Sequence, residues 1–159
     1  MADLALRNAA PDDVPALLRL LRDLAAYEKL PHEVQATEEH FQRALFGGTP
    51  RIEALMADWR GEPVGFAVWF YTFSTFDGWP KLYVEDVFVA PEQRGRGIGR
   101  AIFADLARRA LAQGCGRMEW SVLDWNAPSI GFYRSIGAEP REGWTVQRLS
   151  GAALRALAA

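Results

Sequence analysis

The stretch that most constrains this chain is Leu82 to Arg109, LYVEDVFVAPEQRGRGIGRAIFADLARR. It reads as a strand that runs into a glycine- and arginine-rich turn and then opens an amphipathic helix. Apolar and aromatic residues dominate Leu82 to Val89, interrupted by the adjacent carboxylates of Glu85 and Asp86. Pro91 cannot donate to a sheet ladder, so the strand should end near Ala90. Gly95, Gly97 and Gly99 let the backbone turn tightly and approach a ligand closely. Downstream, Ile98, Ile102, Phe103, Leu106 and Ala110 recur at helical spacing. The amides at that helix's N-terminus, the dipole behind them and Arg94, Arg96 and Arg100 around them make an anion site, with phosphate the natural ligand. Spacing excludes two common phosphate loops. A Walker loop ends in Gly-Lys-Ser/Thr, whereas Gly99 is followed by Arg100 and Ala101. A dinucleotide fingerprint, G-x-G-x-x-G, would need glycine at Arg100 or Ile102. The competing reading is a plain strand-to-helix connection with solvated arginines.

A chain of 159 residues is one domain by length, 1–159, and long enough to bury a proper core. Its net charge of −2 offers no basic excess for nucleic acid. One cysteine, Cys115, excludes an intrachain disulfide and fits a reducing compartment. No apolar run approaches a membrane span and no signal-peptide pattern is present, so a cytoplasmic protein is expected.

Leu4 to Arg7 reads as a short strand. Asp12 can cap a helix with Val14, Leu17, Leu18, Leu21, Leu24 and Ala25 on its apolar face, running out near Tyr27 and Glu28 before Pro31. Thr37 is a cap for a second, shorter helix ended by Gly47-Gly48. The connection between these helices carries Tyr27, Glu28, Glu33, Glu38 and Glu39, an acidic, aromatic surface suited to a cation and otherwise an ordinary solvated loop. Ile52–Asp58, Val64–Phe73 and Leu82–Val89 read as an antiparallel meander. After the turn-borne helix, Arg117–Leu123 alternates like a strand. Asn126-Ala127-Pro128-Ser129 caps a helix through Ile136, Trp144–Leu149 reads as a last strand, and Ser150 starts a C-terminal helix.

The spacing Arg94-x-x-Gly97-x-Gly99 matches the pyrophosphate signature of the Gcn5-related N-acetyltransferases (GNAT), and the order of elements resembles theirs over nearly the whole chain. Within that superfamily the chain looks most like the diamine (spermidine/spermine) N-acetyltransferases and their bacterial and thialysine-acetylating relatives. LAAYEKL, LYVEDVFV, RGRGIGRAI and NAPSIGFYRSIGA carry the resemblance. It implies an α/β (α+β) fold with a mixed, mostly antiparallel twisted sheet flanked by helices, acetyl-coenzyme A as co-substrate, a small-molecule amine as acceptor, and a homodimer. It also implies roles. Backbone groups from Val87 through Phe88 to Val89 would pair with the pantetheine arm. Arg94, Gly95, Arg96, Gly97, Ile98, Gly99 and Arg100 would hold the pyrophosphate. Asn126, Pro128 and Ser129 would touch the cofactor near its thiol end, with Tyr133 as general acid beside the sulfur. Tyr27, Glu28, Glu85, Asp86, Glu119, Trp120, Ser121 and Glu142 would line the amine channel.

Acetyl transfer explains these residue types. The attacking amine must be neutral, yet an alkylammonium with pKa near ~10.4 resists deprotonation at pH 7 by roughly 4–5 kcal/mol. A carboxylate such as Glu85, directly or through water, can take that proton; the alternative is a surface strand glutamate. For Tyr133 the alternative is a ring packed on its helix with the hydroxyl at the rim. His32 and His40 lack a metal-ligand pattern, and Cys115 has no companion base in sequence. Trp79 and Trp144 could flank a substrate. Two other activities stay open at this point: acetylation of a protein N-terminus or lysine, and a sensor that binds acyl-coenzyme A without turnover.

Overall fold

The computed structural model describes residues 3–159. They form two compact units, the first running to Leu123 and the second from Asp124 to Ala159. The first unit is built on a sheet in the order β1 (Leu4–Asn8), β2 (Glu53–Trp59), β3 (Glu62–Ser74), β4 (Trp79–Val89) and β5 (Arg117–Glu119). Strands β1 to β4 are antiparallel neighbours and β5 joins β4 in parallel, so the sheet is mixed and mostly antiparallel as expected. Helices α1 (Val14–Tyr27) and α2 (Glu38–Phe46) precede β2, and α3 (Ile98–Ala112) forms the crossover between the parallel strands.

Strand alternation sorts the core into two layers. On one face Leu55, Ala57, Ala67, Trp69, Leu82 and Val84 pack with Ile98, Ile102, Leu106 and Ala110 of α3. On the other, Ala54, Met56, Phe66 and Val68 pack with Leu17, Leu20 and Leu24 of α1 and Leu45 of α2. Leu82 and Val84 belong to the α3 face, whereas Phe88 belongs to the α1 face although it lies an even number of residues further along. The register explains the switch. Val68 faces Asp86 while Trp69 faces Val84, which leaves Glu85 as an extra residue in β4, a β-bulge.

Several local expectations change. Asp13, not Asp12, organises the start of α1: it accepts the Ala10 N–H at 2.7 Å and the forked guanidinium of Arg7 at 2.6 and 2.8 Å. Arg7 also reaches the buried Asp58 at 2.7 Å, tying β1, β2 and the entry to α1 together. Thr37 caps α2 as expected, and His40 completes the cap by accepting the Thr37 N–H through Nδ1 at 3.2 Å. Strand β5 is only Arg117–Glu119, because Gly116 already donates to Pro80 and the ladder opposite Lys81–Tyr83 is short.

The second unit carries α4 (Ala127–Ser135) and α5 (Gly151–Ala158). Trp144–Leu149, expected as a strand, is irregular here. Trp144, Val146 and Leu149 are all exposed, so nothing among the described residues supplies the pairing and burial that hold a strand.

Candidate active site

The candidate site begins with the edge of β4. Ala90 donates its N–H to Val64 of β3, and the Phe88 carbonyl crowds Gly65, where a Cβ would lie 2.7 Å from that oxygen. Alternate residues of a strand aim their main-chain groups at alternate edges. Val87 and Val89 therefore aim theirs away from β3, towards the side where β5 pairs only with Lys81–Tyr83. Beyond Tyr83 that edge has no strand partner among the described residues, and an extended amide-containing arm can add there as a further strand.

The turn follows at once. Gly95 and Gly97 both have φ of +78°, a region that residues with a Cβ avoid. Gly97 is the residue before α3 and brings no side-chain cap, and the first intrahelical bond is Ala101 N–H to the Gly97 carbonyl at 3.0 Å. The first amides of α3 thus point out of the helix end, with its dipole behind them. Gly99 lies inside the first turn of α3 and needs no unusual conformation. The arginines are not simply solvated. Arg96 stacks on Trp59 at 5.0 Å. Arg94 lies over Tyr27 at 4.7 Å and Phe88 at 5.6 Å, and its Nε donates to the Val89 carbonyl at 3.0 Å. Arg94 thereby links the glycine turn to the end of α1, a contact that the motif alone did not reveal.

On the α1 face, just before the open edge, lies a cavity of about 510 Å³. Leu21, Leu24, Leu30 and Val34 give it apolar walls, and Glu28, Glu33, Glu85 and Asp86 give it carboxylates. Strict alternation would have placed Glu85 and Asp86 on opposite faces; the bulge turns both into this one cavity. Glu85 is exposed, while the Asp86 carboxyl is largely withdrawn from water. Burial first, then the negative charges of Glu85 and Glu28, push Asp86 up to about 6. Burial also raises Glu28.

Other expected channel residues have partners of their own. Glu119 receives Arg117 at 2.7 Å and Lys81 at 3.2 Å. Burial alone would raise its pKa, but these bonds outweigh it and hold the carboxyl below the ordinary range. Trp120 packs on Phe103 at 4.8 Å, and Ser121 lies 3.2 Å from the Tyr83 hydroxyl. Trp79 lies against Gly116, where even a methyl group would collide with its indole.

In the second unit, Asn126 is buried and its Oδ1 accepts the Ser129 N–H at 3.3 Å, so it caps α4, with Pro128 in the first turn. Tyr133, on the same helix, is half-buried, its ring 5.7 Å from that of Phe132. Glu142 is exposed beyond α4. Among the described residues no group of acidic, histidine or cysteine side chains is arranged to hold a metal, and no helix is long and apolar enough to cross a membrane.

An open strand edge, a left-handed glycine turn at a helix N-terminus and a carboxylate-lined cavity beside them suit an acyl-coenzyme A-dependent transferase. The sequence profile of the acetyltransferase (GNAT) family matches residues 15–138, and the chain belongs to that family. It is an N-acetyltransferase with acetyl-coenzyme A as co-substrate. It is 39% identical to a thialysine N-epsilon-acetyltransferase of Bos taurus over 99% of both chains. The L-ornithine N5-acetyltransferase NATA1 of Arabidopsis thaliana is 28% identical over 96% of this chain and 86% of its own. Among solved structures, an integron cassette protein from the mobile metagenome of V. cholerae shares the fold, with a TM-score of 0.81, 24% identity and 98% of each chain covered.

The raised Asp86 pKa has a stability consequence whose sign is fixed. Below about pH 3.8 the group is protonated folded and unfolded; as pH rises towards about 6, the unfolded chain releases the proton first and stability falls. Above that range the penalty is constant, on the order of 3 kcal/mol. Asp86→Asn removes it. Thermal melts should show the variant more stable than the parent at pH 7.5 and equal to it near pH 3.5; a variant less stable at pH 7.5 contradicts the burial of this charge.

Proposed function

We propose that this enzyme acetylates the terminal primary amine of a small cationic acceptor, a diamine, polyamine or lysine-like molecule, by direct attack in a ternary complex. The observation that carries this reading is the cavity beside β4, whose walls are largely apolar and whose polar side chains are the carboxylates of Glu28, Glu33, Glu85 and Asp86 and the uncharged Gln35. An aliphatic arm ending in an ammonium matches both features, since the methylenes desolvate against leucine and valine while the charge meets an acid. The bovine thialysine N-epsilon-acetyltransferase and the Arabidopsis L-ornithine N5-acetyltransferase are named for acceptors that likewise carry an amine at the end of a short flexible arm.

In this reading the backbone of Val87 and Val89 pairs with the pantetheine arm, and the turn from Gly95 to Arg100 holds the pyrophosphate. Tyr27 and Glu28 position the acceptor, and a carboxylate of the β4 pair takes the ammonium proton. The neutral nitrogen attacks the thioester carbonyl, the C–N bond forms and the C–S bond breaks. Tyr133 supplies a proton to the departing thiolate and regains one from the amine nitrogen through solvent. The reading takes residues 1–159 as one functional domain, supported by a family profile whose match, residues 15–138, includes both Leu123 and Asp124. A cytoplasmic homodimer completes the reading, supported by the resemblance to the diamine enzymes and by the exposed Trp144, Val146 and Leu157. A monomer in sedimentation at assay concentrations removes the dimer.

A thiol-release assay across diamines, polyamines, lysine analogues, neutral amines and basic peptides tests the substrate class. Cationic small amines should be the best acceptors, and Glu28→Gln should raise their KM about tenfold or more while leaving acetyl-coenzyme A affinity unchanged. Preference for neutral amines, or for peptides over every small amine, contradicts the proposal.

In the same assay Tyr133→Phe should lower kcat by ~10²–10⁴, the usual contribution of a general acid. Cofactor affinity should hold, because the ring remains to pack. An unchanged kcat removes the assignment.

A further inference from the structure

Arg94 and Arg96 open the glycine turn with the same charge, yet they reach in opposite directions. Arg96 stacks on Trp59 at the end of β2, in the layer that packs on α3. Arg94 reaches the other layer. Its guanidinium lies 4.7 Å from the centre of the Tyr27 ring and 5.6 Å from that of Phe88, both residues of the α1 layer, and its Nε donates to the Val89 carbonyl at 3.0 Å.

Tyr27 is the last residue of α1, and the chain around it builds one wall of the carboxylate-lined cavity: Leu24, Ala25, Glu28 and Leu30 all line it. Past Tyr27 the chain leaves the helix abruptly. Lys29 adopts a φ of +63°, in the left-handed region that a side chain disfavours, and Leu30 donates its N–H back to Ala25 at 2.8 Å. A wall that ends in such a turn depends on contacts from outside the helix, and the stack of Arg94 on Tyr27 is one of them.

The other end of the same side chain belongs to the cofactor surface. Its Nε bond goes to a carbonyl of the uncovered β4 edge, where the pantetheine arm is proposed to add, and Arg94 immediately precedes the turn proposed for the pyrophosphate. A cofactor laid on that edge takes water away from the guanidinium. A cation over an aromatic ring attracts more strongly once it is desolvated, and a hydrogen bond gains strength in the same way.

We infer, on the proposed placement of cofactor and cationic amine, that Arg94 is a positioning residue coupling the two: coenzyme A on the β4 edge tightens the contact of Arg94 with Tyr27, fixes the last turn of α1 and so raises the affinity of the cavity for its amine. Linkage makes the effect reciprocal, so the amine raises coenzyme A affinity by the same factor. Charge alone does not supply this. A guanidinium presents a flat face to a ring and a directed N–H to a carbonyl at once, which an ammonium on a flexible stem does not reproduce.

Calorimetry tests the coupling with spermidine as the acceptor and with coenzyme A, which lacks the acetyl group and allows no turnover. In the parent, saturating coenzyme A should tighten spermidine binding about fivefold or more. Arg94→Lys keeps the charge and should bring that factor close to one. Tyr27→Leu should do the same, and the double variant should lose nothing further, whereas Tyr27→Phe keeps the ring and the coupling. Arg96→Met is the control. It removes a charge from the same turn and should weaken coenzyme A binding, yet at saturation it should leave the coupling factor as in the parent. Hydrogen exchange gives a readout independent of any acceptor: coenzyme A should slow exchange of the Glu28 and Leu30 amides, bonded to Leu24 and Ala25, in the parent but not in Arg94→Lys.

A parent with neither coupling nor slowed exchange overturns the inference, and so does coupling that survives in Arg94→Lys. A loss in Arg96→Met as large as in Arg94→Lys overturns it too, since the charge of the turn is then the cause. Exchange slowed in the parent and not in Arg94→Lys, in a protein that binds no cationic amine, upholds the Arg94 link and sinks the proposed acceptor class instead, so the two failures are distinguishable.

Discussion

One extra residue in β4 sets the geometry of this enzyme's site. Without the bulge at Glu85, the alternation that buries Leu82 and Val84 against α3 would carry Asp86 into the same layer and turn Phe88 away from α1. With it, the strand changes faces. Phe88 fills the α1 layer, both carboxylates turn to the cavity, and Val87 and Val89 keep their backbone groups on the edge that β5 leaves uncovered. A bulge also bends its strand and raises the local twist, which helps to separate β4 from β5 beyond Tyr83. The carboxylate-lined cavity and the uncovered strand edge thus meet at one discontinuity.

The first unit treats its acids in two ways. Asp13, Asp58 and Glu119 are engaged by arginine or lysine, and their charge is offset where it sits. The acids around the cavity face one another instead, and the most buried of them, Asp86, titrates upward with no hydrogen bond contributing. Concentrating like charges in partly dry surroundings costs folding stability, and a cationic ligand relieves that cost on binding. Such an arrangement is expected where a site is tuned for a charged substrate rather than for packing.

Much of this was legible in the sequence. The strand, turn and helix from Leu82 to Arg109 read correctly because proline, glycine and the spacing of Ile98, Ile102 and Leu106 are local signals. Thr37 and Asn126 were recognisable caps for the same reason. The bulge was not read, although even spacing would have put Asp86 in the core between Val84 and Phe88, a conflict that itself points to irregularity. The stacking of Arg94 on Tyr27 joins residues far apart in the chain, and no local pattern encodes it. Trp144–Leu149 has the alternation of a strand, but a strand requires a neighbour, and sequence periodicity carries no information about whether one is present.

The central claim is that the bulge brings the acceptor nitrogen and the cofactor's pantetheine arm to adjacent positions on β4. A crystal structure with a bisubstrate analogue, coenzyme A joined through an acetyl bridge to a diamine, measures this directly. The account predicts pantetheine amides hydrogen-bonded to the backbone of Val87 and Val89, and the bridged nitrogen within hydrogen-bond reach of Asp86. An analogue bound through the turn but with its amine arm outside the cavity of Glu28, Glu85 and Asp86 would contradict it.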